Sequence, residues 1–398
     1  MSRFFVKAGV RGRAIYLGQH KASGVVLLLQ HVEACNPRLQ HTAAGIGERR
    51  PLKGLDVFRL DMDKNVNDMH GNSLGPSTGT LQAGAGFGGV VIASIIPGMV
   101  PLQVRPGDCD SFGHVNNAVY VGYVQQAIAC TLAGVGLAAD WQPGGDHSWQ
   151  VRSLSADYRY ATCFGEPLAA HLWLENADPL QPVFGCEIRS ADTDLAGVEQ
   201  VKVRTRSAWV RLARAGGEPT PVPADVLVAL PTQAGVAPKP FTAPSDPPNV
   251  RSYGWQRHSM RSESDPFGHV HLPAIYHWLE EAIFDASAQA GWPMERWQAE
   301  GYFVLQARHD TLFVDHPRFD ENTRITSRLI DIRRLRGTWC VELRRHPSND
   351  LLVRDYSTGV FLDLAGRPAS LPARIGREIQ FGAEPRPDQD SHASPPPL

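Results

Sequence analysis

A six-residue pattern occurs twice in this chain, and the repeat limits the folds that the chain can adopt. Residues 110–115 (DSFGHV) return as residues 265–270 (DPFGHV), 155 positions later. A second pair of segments, 217–224 and 366–373, is related by 149 positions. Solenoid repeats are only about 20 to 50 residues long. A period near 150 residues instead indicates two fused copies of one domain-sized unit.

The composition is that of a globular chain without a strong charge preference for a partner. Of the 398 residues, 42% are apolar, and 39 Lys and Arg residues balance 41 Asp and Glu residues. This length is sufficient for two ordinary hydrophobic cores. Because the net charge of -2 creates no field that attracts polyanions, we expect neither a nucleic-acid partner nor a membrane partner.

Apolar runs and cysteines favour a cytoplasmic location. The longest apolar runs, 24–29 and 89–96, are shorter than the roughly 20 residues that cross a bilayer. The six cysteines form no CxxC pair, which argues against a zinc site or a disulfide framework. We expect a reducing compartment and no metal or other cofactor.

Changes in composition divide the chain into segments. The first 98 residues lack sustained periodicity, so they predict an extension. One hypothesis is that translation starts at Met99 and that the extension is an overrun of the gene prediction. The nine prolines within residues 214–249 favour an extended connector. The predicted segments are an extension (1–98), a first domain (99–229), a linker (230–249), a second domain (250–382) and a disordered tail (383–398).

Each copy has the pattern of one long helix followed by antiparallel strands. Apolar residues recur at helical spacing after each motif, at positions 120, 124, 127, 128 and 132 and at 275, 279, 282, 283 and 286. Apolar residues then recur at every second position, at 168, 170, 172 and 174 and at 339, 341 and 343, as in strands with one buried face. An apolar helix stripe must be buried against a sheet. Two fused copies could also pair their sheet edges into one layer.

The residues around the first motif resemble the signature of a known family. Residues 105–120 (RPGDCDSFGHVNNAVY) contain Asp-x-Asp-x-x-Gly-His-Val-Asn-Asn before the predicted helix. This resembles the 4-hydroxybenzoyl-CoA thioesterase-like branch of the hotdog superfamily, and the likeness covers about 99–229 and 250–380. The resemblance implies an α+β double hotdog, in which a sheet wraps around each long helix. It also implies an internal pseudo-dimer with thioester sites at the junction of the two units.

The resemblance also implies a catalytic residue. In the family the second aspartate of the Asp-x-Asp pair is catalytic, which corresponds to Asp110 and, through the repeat, to Asp265. The second copy departs from the signature, because Glu263 stands where the first copy has an aspartate and His271 and Leu272 replace the two asparagines. Asp110 is therefore the leading candidate.

The chemistry of thioester hydrolysis agrees with this assignment. The reaction needs a carboxylate that attacks the carbonyl or takes a proton from water, and donors that face the developing oxyanion. The start of a helix offers unpaired amides and the positive end of the dipole. We therefore predict that amides near Asn116 and Asn117 bind the carbonyl oxygen. The alternative is that Asp110 and Asp265 only cap a turn, a role worth about 1 kcal/mol.

Four further residues are candidates for the site. His114 and His269 could orient the aspartates, contact the ligand or satisfy a buried carbonyl. We predict substrate contacts from Tyr120 at the start of the first helix and from Glu281 on the second helix.

The sequence predicts an acyl thioesterase that acts on an acyl-CoA or acyl-carrier-protein thioester. Two alternatives stay open. One is a hotdog hydratase or dehydratase acting on an enoyl or 3-hydroxyacyl thioester, although that class usually separates its Asp and His by five positions and Asp110 precedes His114 by four. The other is a non-catalytic module that binds acyl thioesters. Further assembly into a homo-oligomer is not decided by the sequence.

Overall fold

The structure is a computed structural model that describes residues 98–193, 199–232 and 235–382. The predicted extension, apart from Gly98, and the predicted tail lie outside the described residues.

Both copies contain the same order of strands and the same long helix, and the second has one additional short helix. The first consists of β1 (Met99–Gln103), α1 (Asn117–Leu132), β2 (His147–Tyr158), β3 (Pro167–Asn176), β4 (Val183–Thr193), β5 (Glu199–Ala213) and the short α2 (Ala224–Ala229). The second consists of β6 (Tyr253–His258), α3 (Leu272–Gln289), the short α4 (Met294–Ala299), β7 (Tyr302–Phe313), β8 (Asn322–Arg333), β9 (Arg336–Arg345), β10 (Leu351–Asp363) and α5 (Ala373–Phe381).

The ten strands form one antiparallel sheet in the order β1-β3-β4-β5-β2-β7-β10-β9-β8-β6. The two copies join where β2 pairs with β7, and Ser155 lies opposite Asp310 in this ladder. These two residues are 155 positions apart, like the repeated motifs. The sheet is therefore pseudo-symmetric about this pair, and positions of β2 and β7 that differ by 155 are equivalent.

The two long helices lie against one face of the sheet and contact each other. All five positions of the predicted stripe on α1 are buried, and on α3 four of the five are buried while Ile283 is half-buried. Alternate residues of β3 and β9 face the same core, including Leu168, Leu172 and Val341. The predicted α+β double hotdog, with antiparallel sheet wrapped around central helices, is confirmed.

One described helix has the length and apolar content of a membrane span. It consists of α1 and the helical turns that follow it, together residues 117–141, and its most apolar window has a mean hydropathy of 1.3. The expectation that no segment is long and apolar enough was therefore wrong, because it considered only uninterrupted apolar runs. A helix at the centre of a core has the same composition, and the apolar face of α1 is buried in this core. The helix is thus weak evidence for a membrane location.

The proline-rich linker crosses the sheet on the face opposite the long helices. Its residues from 235 to 249 form neither helix nor strand. The carbonyl oxygen of Lys239 accepts a hydrogen bond from Arg308 Nη2 at 2.7 Å, and Phe241 packs on Tyr356 with ring centroids 5.2 Å apart. The linker therefore contacts β7 and β10 of the second copy and lies over the join between the copies.

Candidate active site

The two repeated motifs form the same turn. Asp110 Oδ1 accepts hydrogen bonds from the amides of Phe112 at 2.8 Å and His114 at 3.4 Å. In the second copy Asp265 Oδ1 accepts the two equivalent bonds, both at 2.9 Å. Gly113 has φ of +81°, a conformation that a side chain disfavours. Within the described residues Oδ2 of each aspartate has no hydrogen-bond partner, so each carboxylate caps its turn with one oxygen and keeps the other available.

The first acid of each motif has a different task. Asp108 Oδ2 accepts hydrogen bonds from Tyr123 Oη on α1 and from the amide of Arg105, both at 2.7 Å. Glu263 does the same in the second copy, where it binds Trp278 Nε1 on α3 at 3.0 Å. This acid therefore links the turn to the helix through hydrogen bonds, and the second acid of the motif is the one with an available oxygen.

The start of α1 corrects half of the predicted oxyanion donor pair. Asn116 caps the helix, since its Oδ1 accepts from the Ala118 amide at 2.8 Å, and its own amide donates to the Asp108 carbonyl at 2.9 Å. The Asn116 amide is therefore occupied. The Asn117 amide, in contrast, has no acceptor among the described residues, and it lies in the first turn of a 16-residue helix. Of the two predicted donors, only the Asn117 amide is therefore left available.

Each turn faces the helix of the other copy. Asn116 Nδ2 donates to Glu280 Oε2 on α3 at 3.2 Å. In the pseudo-symmetric position, Gln125 on α1 borders a cavity together with Asp265 and His271. The two candidate sites therefore lie at the junction of the copies, as the resemblance implied.

Two predicted substrate contacts are placed differently. Glu281 is exposed, whereas the preceding Glu280 reaches the turn of the first copy, because successive helix residues point about 100° apart. Glu280 therefore replaces Glu281 in the site. Tyr120 is buried and packs against Tyr123 and Tyr158. Burial raises the pKa of Tyr120, so it is a neutral phenol in the wall beneath the turn.

A buried chain of polar side chains continues from Glu280 into the sheet. Glu280 Oε1 lies 3.9 Å from His309 Nε2 on β7, and His309 Nδ1 lies 2.8 Å from Asp355 Oδ2 on β10. Asp355 Oδ1 accepts a hydrogen bond from Thr311 Oγ1 at 2.7 Å. His309 and Asp355 are fully buried. Neither residue was predicted from the sequence, although His309 and Thr311, two polar residues on the buried face of one strand, were a usable signal.

Electrostatics fix the charge of this histidine. Burial alone lowers the pKa of His309, but the carboxylates of Asp355 and Glu280 outweigh that effect and raise the pKa to about 10. His309 is therefore an imidazolium at neutral pH. The imidazolium of His309 thus lies between two carboxylates, those of Glu280 and Asp355.

The second turn borders a small cavity. The cavity has a volume of about 20 Å³, enough for a single water molecule. His269 Nδ1 lies 4.0 Å from Asp265 Oδ1, and His269 Nε2 lies 3.2 Å from Gln150 Nε2 on the first copy. Burial lowers the pKa of His269, partly offset by Asp265. This histidine is therefore neutral at pH 7, and it contacts Gln150 of the first copy across the junction of the two copies.

The fold and the site together define a double-hotdog protein with thioesterase-like turns at the junction of its two units. A profile of the thioesterase-like superfamily matches residues 104–230 and 261–379. The chain belongs to this superfamily.

Comparison with solved structures supports the same fold. The acyl-ACP thioesterase from Bacteroides thetaiotaomicron VPI-5482 is similar with a TM-score of 0.51 and 15% identity, covering 67% of this chain and 97% of its own. The 12:0-ACP thioesterase from Umbellularia californica is similar with a TM-score of 0.51 and 12% identity, covering 67% and 93%. A comparison with curated protein sequences found no significant match.

Proposed function

We propose that this protein hydrolyses an acyl-CoA or acyl-carrier-protein thioester, with Asp110 as the leading catalytic group. The observation that carries the proposal is the placement of Asp110 Oδ2, which has no partner among the described residues, in the turn that leads to the unpaired Asn117 amide of α1. A carboxylate and a helix-start amide are the two groups that acyl transfer to water requires.

The reaction follows from these two groups. The thioester carbonyl oxygen accepts a hydrogen bond from the Asn117 amide, which stabilises the negative charge as the carbonyl carbon becomes tetrahedral. Asp110 takes a proton from the attacking water, or attacks the carbon itself and is released by water in a second step. The carbon–sulfur bond then breaks, and the thiolate takes up the proton. The products are one acid and one thiol.

Membership of the superfamily and the acyl-ACP thioesterases among the structural neighbours support this reaction class. We propose an acyl thioester as the partner and, from the cysteine pattern, the cytoplasm as the location.

Product analysis separates this proposal from its rivals. Purified protein is incubated with a panel of acyl-CoA and acyl-carrier-protein thioesters, and free thiol and free acid are quantified. We expect enzyme-dependent release of thiol and acid in equal amounts. A hydratase would interconvert enoyl and 3-hydroxyacyl thioesters without thiol release, and a binding module would retain the thioester unchanged. Either of these results would contradict the proposal.

A further inference from the structure

The cleft of the second turn is closed by large side chains. Its walls include Trp149 on β2 and Trp209 on β5, which are only 6% and 1% exposed. They leave the cavity of about 20 Å³ beside Asp265. One water molecule fits there, but an acyl group does not.

The pseudo-symmetry identifies the residue that replaces Trp149 in the cleft of the first turn. Equivalent positions of β2 and β7 differ by 155, so Val304 corresponds to Trp149. Val304 is 40% exposed, compared with 6% for the tryptophan. At the position that Trp149 fills beside Asp265, the cleft of the first turn therefore has a smaller apolar side chain that is open to solvent.

Strand register identifies the counterpart of Trp209 in the same way. Trp209 lies opposite Val151 in the β2–β5 ladder, and Gly359 lies opposite Gln306 in the β7–β10 ladder. Because Val151 and Gln306 are equivalent, Gly359 takes the place of Trp209. Gly359 adjoins Val304, since a Cβ atom at 359 would lie 2.8 Å from Val304 Cγ1. A tryptophan pair in one cleft is thus a valine and a glycine in the other.

The polar residues differ between the clefts as well. In the part of the chain that the structure describes, only the cleft of the first turn contains the buried charged series of Glu280, His309 and Asp355. The residues equivalent to Glu280, His309 and Asp355 are Gln125, Leu154 and Thr205, respectively. The hydrogen bond from Asn116 to Glu280 therefore ties the first turn to a buried ion chain, and the second turn has a neutral glutamine in this place. The smaller wall residues and the buried charged side chains both occur in the cleft of Asp110, and, among the described residues, neither occurs in the cleft of Asp265.

We propose that the acyl group of the substrate binds in the Asp110 cleft over Val304 and Gly359, and that Trp149 and Trp209 close the Asp265 cleft to acyl groups. This rests on the proposed thioesterase function, which it deepens by assigning the acyl site. The ligand is an extended aliphatic or planar aromatic acyl group, because a valine and a glycine stand at the two positions that tryptophans fill in the other cleft. Turnover then takes place at one of the two pseudo-equivalent clefts.

The test introduces the tryptophan of the closed cleft into the open one. Val304→Trp is compared with wild type, with the smaller Val304→Ala, and with Val228→Trp, which makes the same change at an 85% exposed residue of α2. The probes are non-hydrolysable thioether analogues of acetyl-, octanoyl- and palmitoyl-CoA, with binding measured by calorimetry. Thiol release from the matching thioesters is measured in parallel.

We expect Val304→Trp to weaken binding of the longer analogues at least about 10-fold, as for loss of several methylene contacts. Val304→Ala leaves the cleft open and should weaken binding much less than Val304→Trp, and Val228→Trp should bind like wild type. Equal affinity of Val304→Trp and wild type, or no binding by wild type, would overturn the assigned acyl site. Weakened binding together with no thiol release by wild type would support the site and contradict the thioesterase function. The two proposals therefore fail separately.

Discussion

Replacement of Asp110 by asparagine is expected to reduce turnover of the thioester by about 10²- to 10⁴-fold, the usual contribution of a general acid–base group. The amide preserves the shape of the carboxylate and can keep the hydrogen bonds from the Phe112 and His114 amides to Oδ1. It cannot take a proton from water or attack the carbonyl. The loss should therefore appear in kcat, with the thermal unfolding temperature close to that of wild type.

Asp265→Asn is the matched comparison, since its turn has the same geometry. We expect a smaller loss of turnover than for Asp110→Asn, because the cleft beside Asp265 is closed by tryptophans. Thiol release by both variants, measured at saturating substrate with circular dichroism as a check of folding, gives the ranking. If Asp110→Asn turned over the thioester as fast as wild type, Asp110 would not be the catalytic residue.

The second large effect concerns stability. Asp355→Asn removes the carboxylate beside the fully buried imidazolium of His309. Breaking one partner of a buried pair leaves an uncompensated charge or forces it to lose its proton, which costs about 3–5 kcal/mol. We expect the free energy of unfolding, measured by urea titration at pH 6, to fall by this amount. Asp363→Asn at the exposed end of the same strand removes only a surface pair with Arg367, and about 1 kcal/mol or less is expected.

The same pair predicts a pH dependence. The folded-state pKa of His309, about 10, is above the ordinary value of about 6.5. The stabilisation from this group is therefore complete below about pH 6.5 and is lost as the pH rises towards 10. Wild type should lose stability across this window, and Asp355→Asn should lose much less. If the free energy of unfolding changed with pH equally in wild type and Asp355→Asn, the pair of His309 and Asp355 would not be the source of this pH dependence.

The features that could be predicted from the sequence are those set by short-range patterns. The 3.6-residue spacing on α1 and the alternation on β3 follow from which face is buried, and both are local properties of the chain. The turn at Asp110 is largely local as well, because the hydrogen bonds that the Asp110 carboxylate accepts come from residues two and four positions away. The repeat added the one long-range fact, that two equal units share a sheet.

What the sequence did not predict depends on contacts between distant residues. Glu280 and Glu281 are adjacent, and only the packing of α3 on the first copy decides which of them faces Asn116. His309 and Asp355 are 46 positions apart, and their contact depends on the register of β7 and β10. The Asn116 amide was predicted to bind the oxyanion. In the structure it donates to the Asp108 carbonyl instead, a bond that forms as the turn folds and that residue types alone do not specify.

A structure of the Asp110→Asn variant with an unhydrolysed acyl-CoA tests the central claim most directly. We predict that the thioester carbonyl oxygen lies within hydrogen-bond distance of the Asn117 amide, with the side chain at position 110 beside the carbonyl carbon and the acyl group over Val304. A thioester bound with its carbonyl away from the start of α1, or bound in the cleft of Asp265, would contradict this account.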